Sequence, residues 1–265
     1  MRAYLFSAAY WTLSVLYVLL ALPFLILPGR GVVRAIIKSY TRAMNLALRY
    51  LAGIKKDVRG RENLPEGAFI IAAKHQSWGD GFMVYPEVEN LSFVTGDHLE
   101  KLPLVGGILR KLGAIVIDTC GGGERKAASL VEGMQQAKVE GRRVLIYPEG
   151  HLAPVDTHFR YKAGVWHMAR AMDVPVVPVA TNLGLFWQQE EFQKQQGTAV
   201  IEFLPPIQPG EDKSAFLAEL TEAVETCTAE LVAEGRGADV LRPVLIPDPD
   251  KGTLAVAPRV TAPAE

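Results

Sequence analysis

Residues 68–80 read AFIIAAKHQSWGD, and this stretch decides the fold. Its first seven residues form a short apolar run that predicts a buried strand, and a helix is predicted over 79–87. Further β-branched or apolar runs predict strands at 91–95, 114–118, 143–147, 174–181 and 198–204, separated by helical stretches near 103–112, 123–140, 163–172 and 212–234. Such alternation predicts an α/β fold with a mixed, largely parallel sheet flanked by helices.

The composition of the 265 residues is that of a globular protein. Apolar residues make up 49% and charged residues 22%, which excludes a disordered chain, a collagen-like chain and a disulfide scaffold. The cysteines Cys120 and Cys227 are far apart, so neither a zinc site nor a disulfide framework is indicated. A reducing compartment is the simpler interpretation.

The net charge of -1 conceals a strongly segregated charge pattern. Residues 3–29 contain no charged side chain. Residues 30–61, here called the basic collar, carry nine Lys or Arg and one acid, for a net charge of +8. Residues 62–265 carry a net charge of -10. An apolar start, a basic collar and an acidic body therefore follow one another.

The apolar start, residues 5–28, reads LFSAAYWTLSVLYVLLALPFLILP. A spanning helix needs roughly 20 apolar residues, whereas a signal peptide has an apolar region of about 7–15. The length favours an uncleaved membrane anchor over a signal peptide. Because Pro23 and Pro28 can break a helix, a re-entrant or half-inserted hairpin remains an alternative to a spanning helix.

Residues 32–51 predict a basic amphipathic helix. Apolar residues recur at helical spacing, and Arg34, Lys38, Arg42 and Arg49 fall on another face, which suits an anionic membrane surface. A core-packing helix with a solvated basic face is the alternative. The basic flank predicts that the body faces the cytoplasm at the inner membrane. The predicted organisation is an anchor with the amphipathic helix over 1–57, an α/β domain over 58–235 and a disordered tail over 236–265.

The chemistry is predicted to lie where the first of these strands ends. The sequence has no GxGxxG fingerprint, P-loop or GxSxG elbow. His75 and Asp80 are five residues apart and can meet if the histidine lies in the strand-to-helix turn and Asp80 in the first helical turn. An aspartate that accepts from one imidazole nitrogen leaves the other as a base. The alternative is an N-capping aspartate beside a surface histidine.

A second segment, Tyr147-Pro148-Glu149-Gly150-His151, ends another predicted strand. Ligands usually bind outside the carboxyl ends of parallel strands, so both segments are expected at the same edge of the sheet. The second segment is then either a wall of the site or a simple turn.

These blocks resemble a known family. KHQSWGD (74–80) is similar to the H-x4-D signature of glycerolipid acyltransferases, the family of 1-acyl-sn-glycerol-3-phosphate acyltransferase. GAIVID (113–118), YPEG (147–150) and VPVVPVAT (174–181) resemble its other three blocks in the same order. The resemblance covers residues 58–205.

The resemblance implies a mechanism and its residues. His75 would deprotonate the free hydroxyl of a lysolipid, and Asp80 would orient the imidazole. The hydroxyl would attack the thioester of acyl-CoA or acyl-carrier protein without a covalent enzyme intermediate. Glu149 and Gly150 would shape the acceptor site. The family's acceptor is 1-acyl-sn-glycerol-3-phosphate and its product is phosphatidic acid, a step of phospholipid biosynthesis that needs no metal and no redox cofactor.

The sequence departs from the family pattern at two arginines that would bind the acceptor phosphate. Leu152 and Thr119 stand in their places, and Lys74 replaces a common asparagine. Arg125, Lys126, Arg160 or Lys162 can substitute, and we expect Arg160 and Lys162 to do so because they follow the YPEG strand. The alternatives are another acceptor, such as a lysophospholipid or lyso-ornithine lipid, and a non-catalytic membrane protein that binds lipid.

Overall fold

The computed structural model of the chain describes residues 1–96, 99, 101, 104–117, 133–189 and 191–249. Its strands are β1 (Ile54–Arg59), β2 (Ile70–Ala73), β3 (Leu91–Gly96), β4 (Ile115–Ile117), β5 (Arg143–Ile146), β6 (Thr157–His158), β7 (Val176–Thr181), β8 (Gly197–Phe203) and β9 (Val244–Leu245). Its α-helices are α1 (Arg2–Ala21), α2 (Gly31–Ala47), α3 (Asp80–Val84), α4 (Val105–Leu112), α5 (Gly164–Met172) and α6 (Lys213–Arg236), and 133–139 is also helical. A π-helical turn, Leu48–Ala52, follows α2.

Seven strands form one sheet in the order β1-β8-β7-β2-β5-β3-β4. Every neighbouring pair is parallel except β7 with β8. The predicted largely parallel sheet is confirmed, and all six predicted strands are present. β2, β5 and β7 run in the same direction, so their carboxyl ends meet at one edge. The segments after β2 and β5 begin at that edge.

Successive side chains of a strand point to opposite faces of the sheet, and helices cover both faces. In β2, Ile71 and Ala73 belong to one apolar cluster, which includes side chains of α1, α2 and α3. Ile70 and Ala72 belong to a second cluster, with side chains of α5 and α6. The continuous apolar run of β2 is therefore that of a central strand covered by helices on both sides.

The apolar start forms a helical hairpin with the amphipathic segment, as α1 packs against α2. Among the described residues one helix, Arg2–Phe24, is long and apolar enough to cross a membrane. Near its start, Phe6 is buried against Trp187 of the body. Near its end, Ala21 clusters with Ile108 of α4. The opposite side of α1 exposes Tyr4, Leu5, Trp11, Val15, Leu16, Leu19 and Leu20.

Two strands of the structure lie across or beyond the predicted domain boundaries. The boundary at 57/58 cuts β1, which begins at Ile54 and pairs with β8 as an edge strand of the sheet. The tail predicted from residue 236 is partly ordered, because β9 pairs with β6 and supplies partners for its backbone. We call residues 237–249 the C-terminal strap. Residues 250–265 of the predicted tail lie outside the described residues.

Much of the basic collar is paired with acids of the body. Lys56 and Arg61 both contact Glu87, and Arg59 forms a two-bond ion pair with Glu234 of α6. Arg30 and Lys38 contact Glu140 and Glu89 respectively. Five of the nine collar cations thus help to hold the hairpin and β1 on the body.

Candidate active site

The turn after β2 brings the predicted histidine and aspartate together. Asp80 is the first residue of α3, and its Oδ2 lies 2.9 Å from Nδ1 of His75. The backbone N–H groups of Gln76 and Ser77 donate to the same oxygen at 2.8 and 2.9 Å. Three donors therefore converge on one carboxylate oxygen. The aspartate both caps the turn and accepts from the imidazole.

The exposure of the two side chains fits the roles of an orienting acid and a base. The Asp80 side chain is 2% exposed, whereas that of His75 is 22% exposed. A carboxylate at Nδ1 makes that nitrogen the protonated one, so Nε2 carries the lone pair. Nε2 is then able to accept a proton from a group at the surface of the site.

Tyr147, at the end of β5, holds the imidazole plane. Its ring stacks on that of His75 with 3.8 Å between centroids and 14° between planes. Burial, reinforced by the charge of Asp80, raises the pKa of the Tyr147 phenol well above its usual value. The phenol is therefore neutral at physiological pH. The sequence alone predicts no role for this tyrosine of the YPEG segment.

An aromatic cluster joins the turn that holds His75 and Asp80, here called the catalytic turn after its proposed role, to the hairpin of α1 and α2. Trp187 packs against Gly79, the residue before Asp80, and also contacts Phe6 and Tyr10 of α1. Tyr10 contacts Phe82 of α3 as well. The apolar start of the chain is therefore in direct contact with the elements that hold the site.

Glu149 lies behind the site rather than on its surface. Its side chain is fully buried, and its Oε2 accepts from Lys74 Nζ at 3.1 Å and from the backbone N–H of Phe159 at 2.8 Å. Lys74 also donates to both carboxylate oxygens of Glu225 on α6, at 2.9 and 3.0 Å. The prediction that Glu149 shapes the acceptor site therefore concerns a buried carboxylate that acts through the groups it binds.

The lysine that replaces the family's asparagine thus has its own partner. Tyr161 donates to Glu225 at 2.8 Å, so the network joins the ends of β2 and β5 to α6. The sequence signal for Glu225 was weak, because it is an acid beside the apolar stripe of Phe216, Leu220 and Val224.

Gly150 and Lys162 lie together on the other side of the YPEG turn. Gly150 has a φ of +77°, and a Cβ there would lie 2.7 Å from Lys162 Nζ. The backbone N–H of Lys162 donates to Pro148, which fixes the lysine beside the turn. Arg160 and Lys162 line a groove of about 850 Å³ between the loop after β6, α6 and the C-terminal strap.

The other candidate cations cannot be placed. Asp118, Thr119, Cys120, residues 121–123, Arg125 and Lys126 lie outside the described residues. Within the described ranges no three His, Cys, Asp or Glu side chains form a group that could hold a metal ion.

The fold and the His75–Asp80 pair define the class of protein: the chain belongs to the acyltransferase family. The family model described as Acyltransferase matches residues 55–182, a range that contains the catalytic turn and the YPEG turn.

Relatives and a solved structure agree with this assignment. The chain is 32% identical over 211 residues to 1-acyl-sn-glycerol-3-phosphate acyltransferase of Pseudomonas aeruginosa, which covers 79% of this chain and 81% of the relative. It is 26% identical over 243 residues to 1-acyl-sn-glycerol-3-phosphate acyltransferase alpha of Homo sapiens, covering 88% and 84%.

The crystal structure of the 1-acyl-sn-glycerophosphate (LPA) acyltransferase PlsC from Thermotoga maritima has the same fold. It superimposes with a TM-score of 0.71 at 21% identity and covers 88% of this chain and 98% of that one.

Proposed function

We propose that the chain transfers a fatty acyl group to the free hydroxyl of 1-acyl-sn-glycerol-3-phosphate and so forms phosphatidic acid. The observation that carries the proposal is the His75–Asp80 pair, held by three donors at the edge of a sheet of this family. The names of the Pseudomonas and human relatives support the choice of acceptor. Intact His75 and Asp80 speak against a protein that only binds lipid.

The proposed reaction is a direct transfer. Nε2 of His75 takes the proton of the acceptor hydroxyl as its oxygen attacks the thioester carbonyl carbon. The C–O bond forms and the C–S bond breaks, and the imidazolium returns the proton to the leaving thiolate. Asp80 stabilises the positive imidazole at Nδ1. Base catalysis of this kind contributes about 10²–10⁴-fold, and positioning of the two substrates supplies much of the rest.

The acyl donor is a thioester of coenzyme A or of acyl-carrier protein, and we propose that no metal or redox cofactor takes part. The proton transfers above are complete without either. A purified preparation treated with a chelator is therefore expected to keep its turnover, with either donor supplied at saturation.

We further propose that the hairpin of α1 and α2 is half-inserted in the cytoplasmic face of the inner membrane. A spanning α1 would have to leave the body, but Phe6 and Ala21, near its two ends, are both buried against the rest of the chain. The exposed apolar side of α1 can enter the acyl region while the body stays outside. The aromatic cluster then brings the catalytic turn close to the lipid surface.

The test of the reaction is substitution of the base and of its orienting acid. His75→Ala is expected to abolish acyl transfer, and Asp80→Asn to impair it severely because the imidazole loses its negative partner. His167→Ala, at an exposed histidine of α5, is the matched control and should behave as wild type. The measurement is lipid analysis after incubation with a panel of lysolipids and both donors. Wild-type turnover by a well-folded His75→Ala protein contradicts the mechanism.

The acceptor phosphate is proposed to bind Arg160 and Lys162 in place of the missing arginines. Both line the same groove, and Lys162 lies beside the YPEG turn. Each is changed to alanine, and KM is measured for lysophosphatidic acid and for a zwitterionic lysolipid. A rise of about tenfold for the phosphate monoester alone supports the assignment. Unchanged KM values, with efficient use of the zwitterionic acceptor, would point to another headgroup.

A further inference from the structure

The C-terminal strap lies across the groove that contains the proposed phosphate-binding cations. The backbone N–H groups of Val244 and Ile246 donate to the carbonyls of Asp156 and His158, each at 2.9 Å. Leu245 and Asp248 of the strap line the groove opposite Arg160 and Lys162. The strap is therefore a wall of the groove, formed by a part of the chain that the family model does not include.

The strap places a carboxylate on two basic side chains of this region. Oδ1 of Asp248 lies 3.2 Å from Nε2 of His151, and its Oδ2 lies 3.7 Å from Nζ of Lys162. His151 is the residue directly after the YPEG turn, and Lys162 is held against Gly150 in that turn. The side chains of Asp248 and His151 are 18% and 25% exposed, so their contact is largely shielded from solvent, whereas Lys162 is 46% exposed.

The chemistry of this contact is that of an anion on a cationic site. A carboxylate and a phosphate monoester seek the same N–H donors, so the two anions compete for Lys162 and repel one another beside it. Leu152 at the usual arginine position adds no donor that could hold a second anion. A bound phosphate and Asp248 therefore exclude one another on His151 and Lys162.

We propose that Asp248 is a specificity-determining residue, whose carboxylate competes with the acceptor's phosphate for His151 and Lys162. This rests on the proposed function, because the site is the one assigned there to the acceptor headgroup. A phosphate monoester binds only when the strap has moved away. A headgroup that does not need these two side chains binds without displacing it.

The contacts that hold the strap allow such displacement. Among the described residues they include the two backbone hydrogen bonds of the β6–β9 pair, the Asp248 contacts and an exposed ion pair of Arg236 with Asp156 at its base. Val244 and Leu245 are themselves exposed, so little apolar surface is lost when the strap leaves. A strap that fills the site in about 70–90% of molecules raises the apparent KM about three- to tenfold.

The kinetic test removes the charge or the strap pairing separately. Asp248→Asn keeps the size of the side chain and removes its charge. Val244→Pro keeps the charge of Asp248 but removes the backbone N–H that pairs with Asp156, which weakens the attachment of the strap. Both are expected to lower KM for lysophosphatidic acid about three- to tenfold, with less than about a twofold change for a zwitterionic lysolipid. Glu219→Gln, at an exposed acid of α6, is the charge-matched control and should change neither KM.

A second measurement is independent of turnover. sn-Glycerol 3-phosphate, as a soluble phosphate headgroup, should speed proteolytic cleavage within residues 237–249 of the full chain, whereas glycerol should not. If the protein acylates a different lysolipid but glycerol 3-phosphate still releases the strap, the competition stands and the proposed acceptor fails. If lysophosphatidic acid is a good acceptor but Asp248→Asn and Val244→Pro leave its KM unchanged or raise it, the competition is overturned and the acceptor assignment stands.

Discussion

At the scale of single residues, Gly79 shows that the catalytic turn has no room for a side chain at this position. A Cβ at this position would lie 2.7 Å from Cε3 and 2.8 Å from Cζ3 of the Trp187 ring, and 2.9 Å from Leu183. The ring is buried and held by its contacts with Phe6 and Phe82, so it has little freedom to move aside. The turn and the aromatic cluster are thus fitted to one another.

Gly79→Ala is expected to lower the free energy of unfolding by about 1–3 kcal/mol and to reduce acyl transfer, because the turn that carries Asp80 must shift. Gly164→Ala is the matched control. A Cβ on Gly164, the first residue of α5, meets nothing within 4 Å. Denaturant unfolding in detergent and turnover of the two variants check this. A Gly79→Ala protein as stable and active as wild type would contradict the close fit.

The buried carboxyl of Glu149 makes a prediction about pH. Burial has the largest effect on its pKa and raises it, the charge of Lys74 lowers it, and the nearby Glu225 raises it again. The net result is a pKa raised from 4.5 to about 7. Between these values the folded protein binds a proton that the unfolded chain has released. The free energy of unfolding therefore falls as pH rises from about 4.5 to about 7, by up to about 3 kcal/mol from this group.

Glu149→Gln carries a neutral side chain of the same shape at every pH. The unfolding free energy of the variant should lack this fall. The unfolding free energy of wild type minus that of the variant should therefore decrease as pH rises from about 4.5 to about 7. Denaturant unfolding of both proteins at a series of pH values is the measurement. Parallel curves would show that Glu149 keeps an ordinary pKa in the folded state.

The sequence predicted some of the site residues for a physical reason and missed others for one. His75 and Asp80 are five residues apart within one turn, so local geometry alone allows their contact. Glu225 contacts Lys74, which lies 151 residues earlier in the chain, and Asp248 contacts His151, which lies 97 residues earlier. Contacts of that range depend on how α6 and the strap pack, and no local spacing encodes them.

At the scale of elements, α1 combines two environments along its whole length. One side is buried against α2 and the body, and the other is exposed and apolar. In water such a surface would be a liability for aggregation, but in the acyl region of a bilayer it is the contact surface. The helix is therefore expected to bind lipid by its side rather than by crossing.

Leu16→Glu should weaken membrane binding without unfolding the body, since Leu16 is 55% exposed on the apolar side of α1 that is proposed to enter the lipid. A charge there would have to enter the bilayer, at a cost of about 2.5–3.5 kcal/mol if it reached the centre. Val139→Glu places the same charge at an 88% exposed valine of the body and is the control. Vesicle flotation of both variants is the measurement. Equal flotation would place α1 away from the lipid.

Strands with many buried apolar residues are predictable from the sequence, and strands with few are not. Strands such as β2 and β7 are fully buried and read as continuous apolar runs. β1 reads IKKDVR and was missed, because only Ile54 of this edge strand is fully buried. β6 and β9 have two residues each, too few to give an alternating pattern. Their pairing depends on the backbone alone.

At the scale of the whole molecule, cations of the basic collar form ion pairs with acids of the body. The basic collar suggested attraction to an anionic membrane, but five of its nine cations contact acids of the body. Arg49 of the same collar lies over the ring of Tyr50. Fewer cations are then available for lipid headgroups than the net charge of +8 suggests.

Membrane attachment of the full chain is therefore expected to resist salt. Attraction between exposed charges is screened within about 3 Å at 1 M salt, whereas burial of the apolar side of α1 is not weakened. After a wash in 1 M NaCl the protein should remain in the membrane fraction, and a mild detergent should release it. Release by salt alone would show that the collar, not α1, provides the attachment.

The pairing of β1 with β8 has a consequence for how the chain is made. Ile54 pairs with Gly197, which leaves the ribosome 143 residues later. At about 5–20 residues per second, synthesis of that length takes about 7–30 s. During this interval the hairpin is complete and exposed, while the sheet that will cover it cannot close. With the membrane attachment proposed above, the nascent chain therefore has time to bind the lipid surface before its body folds.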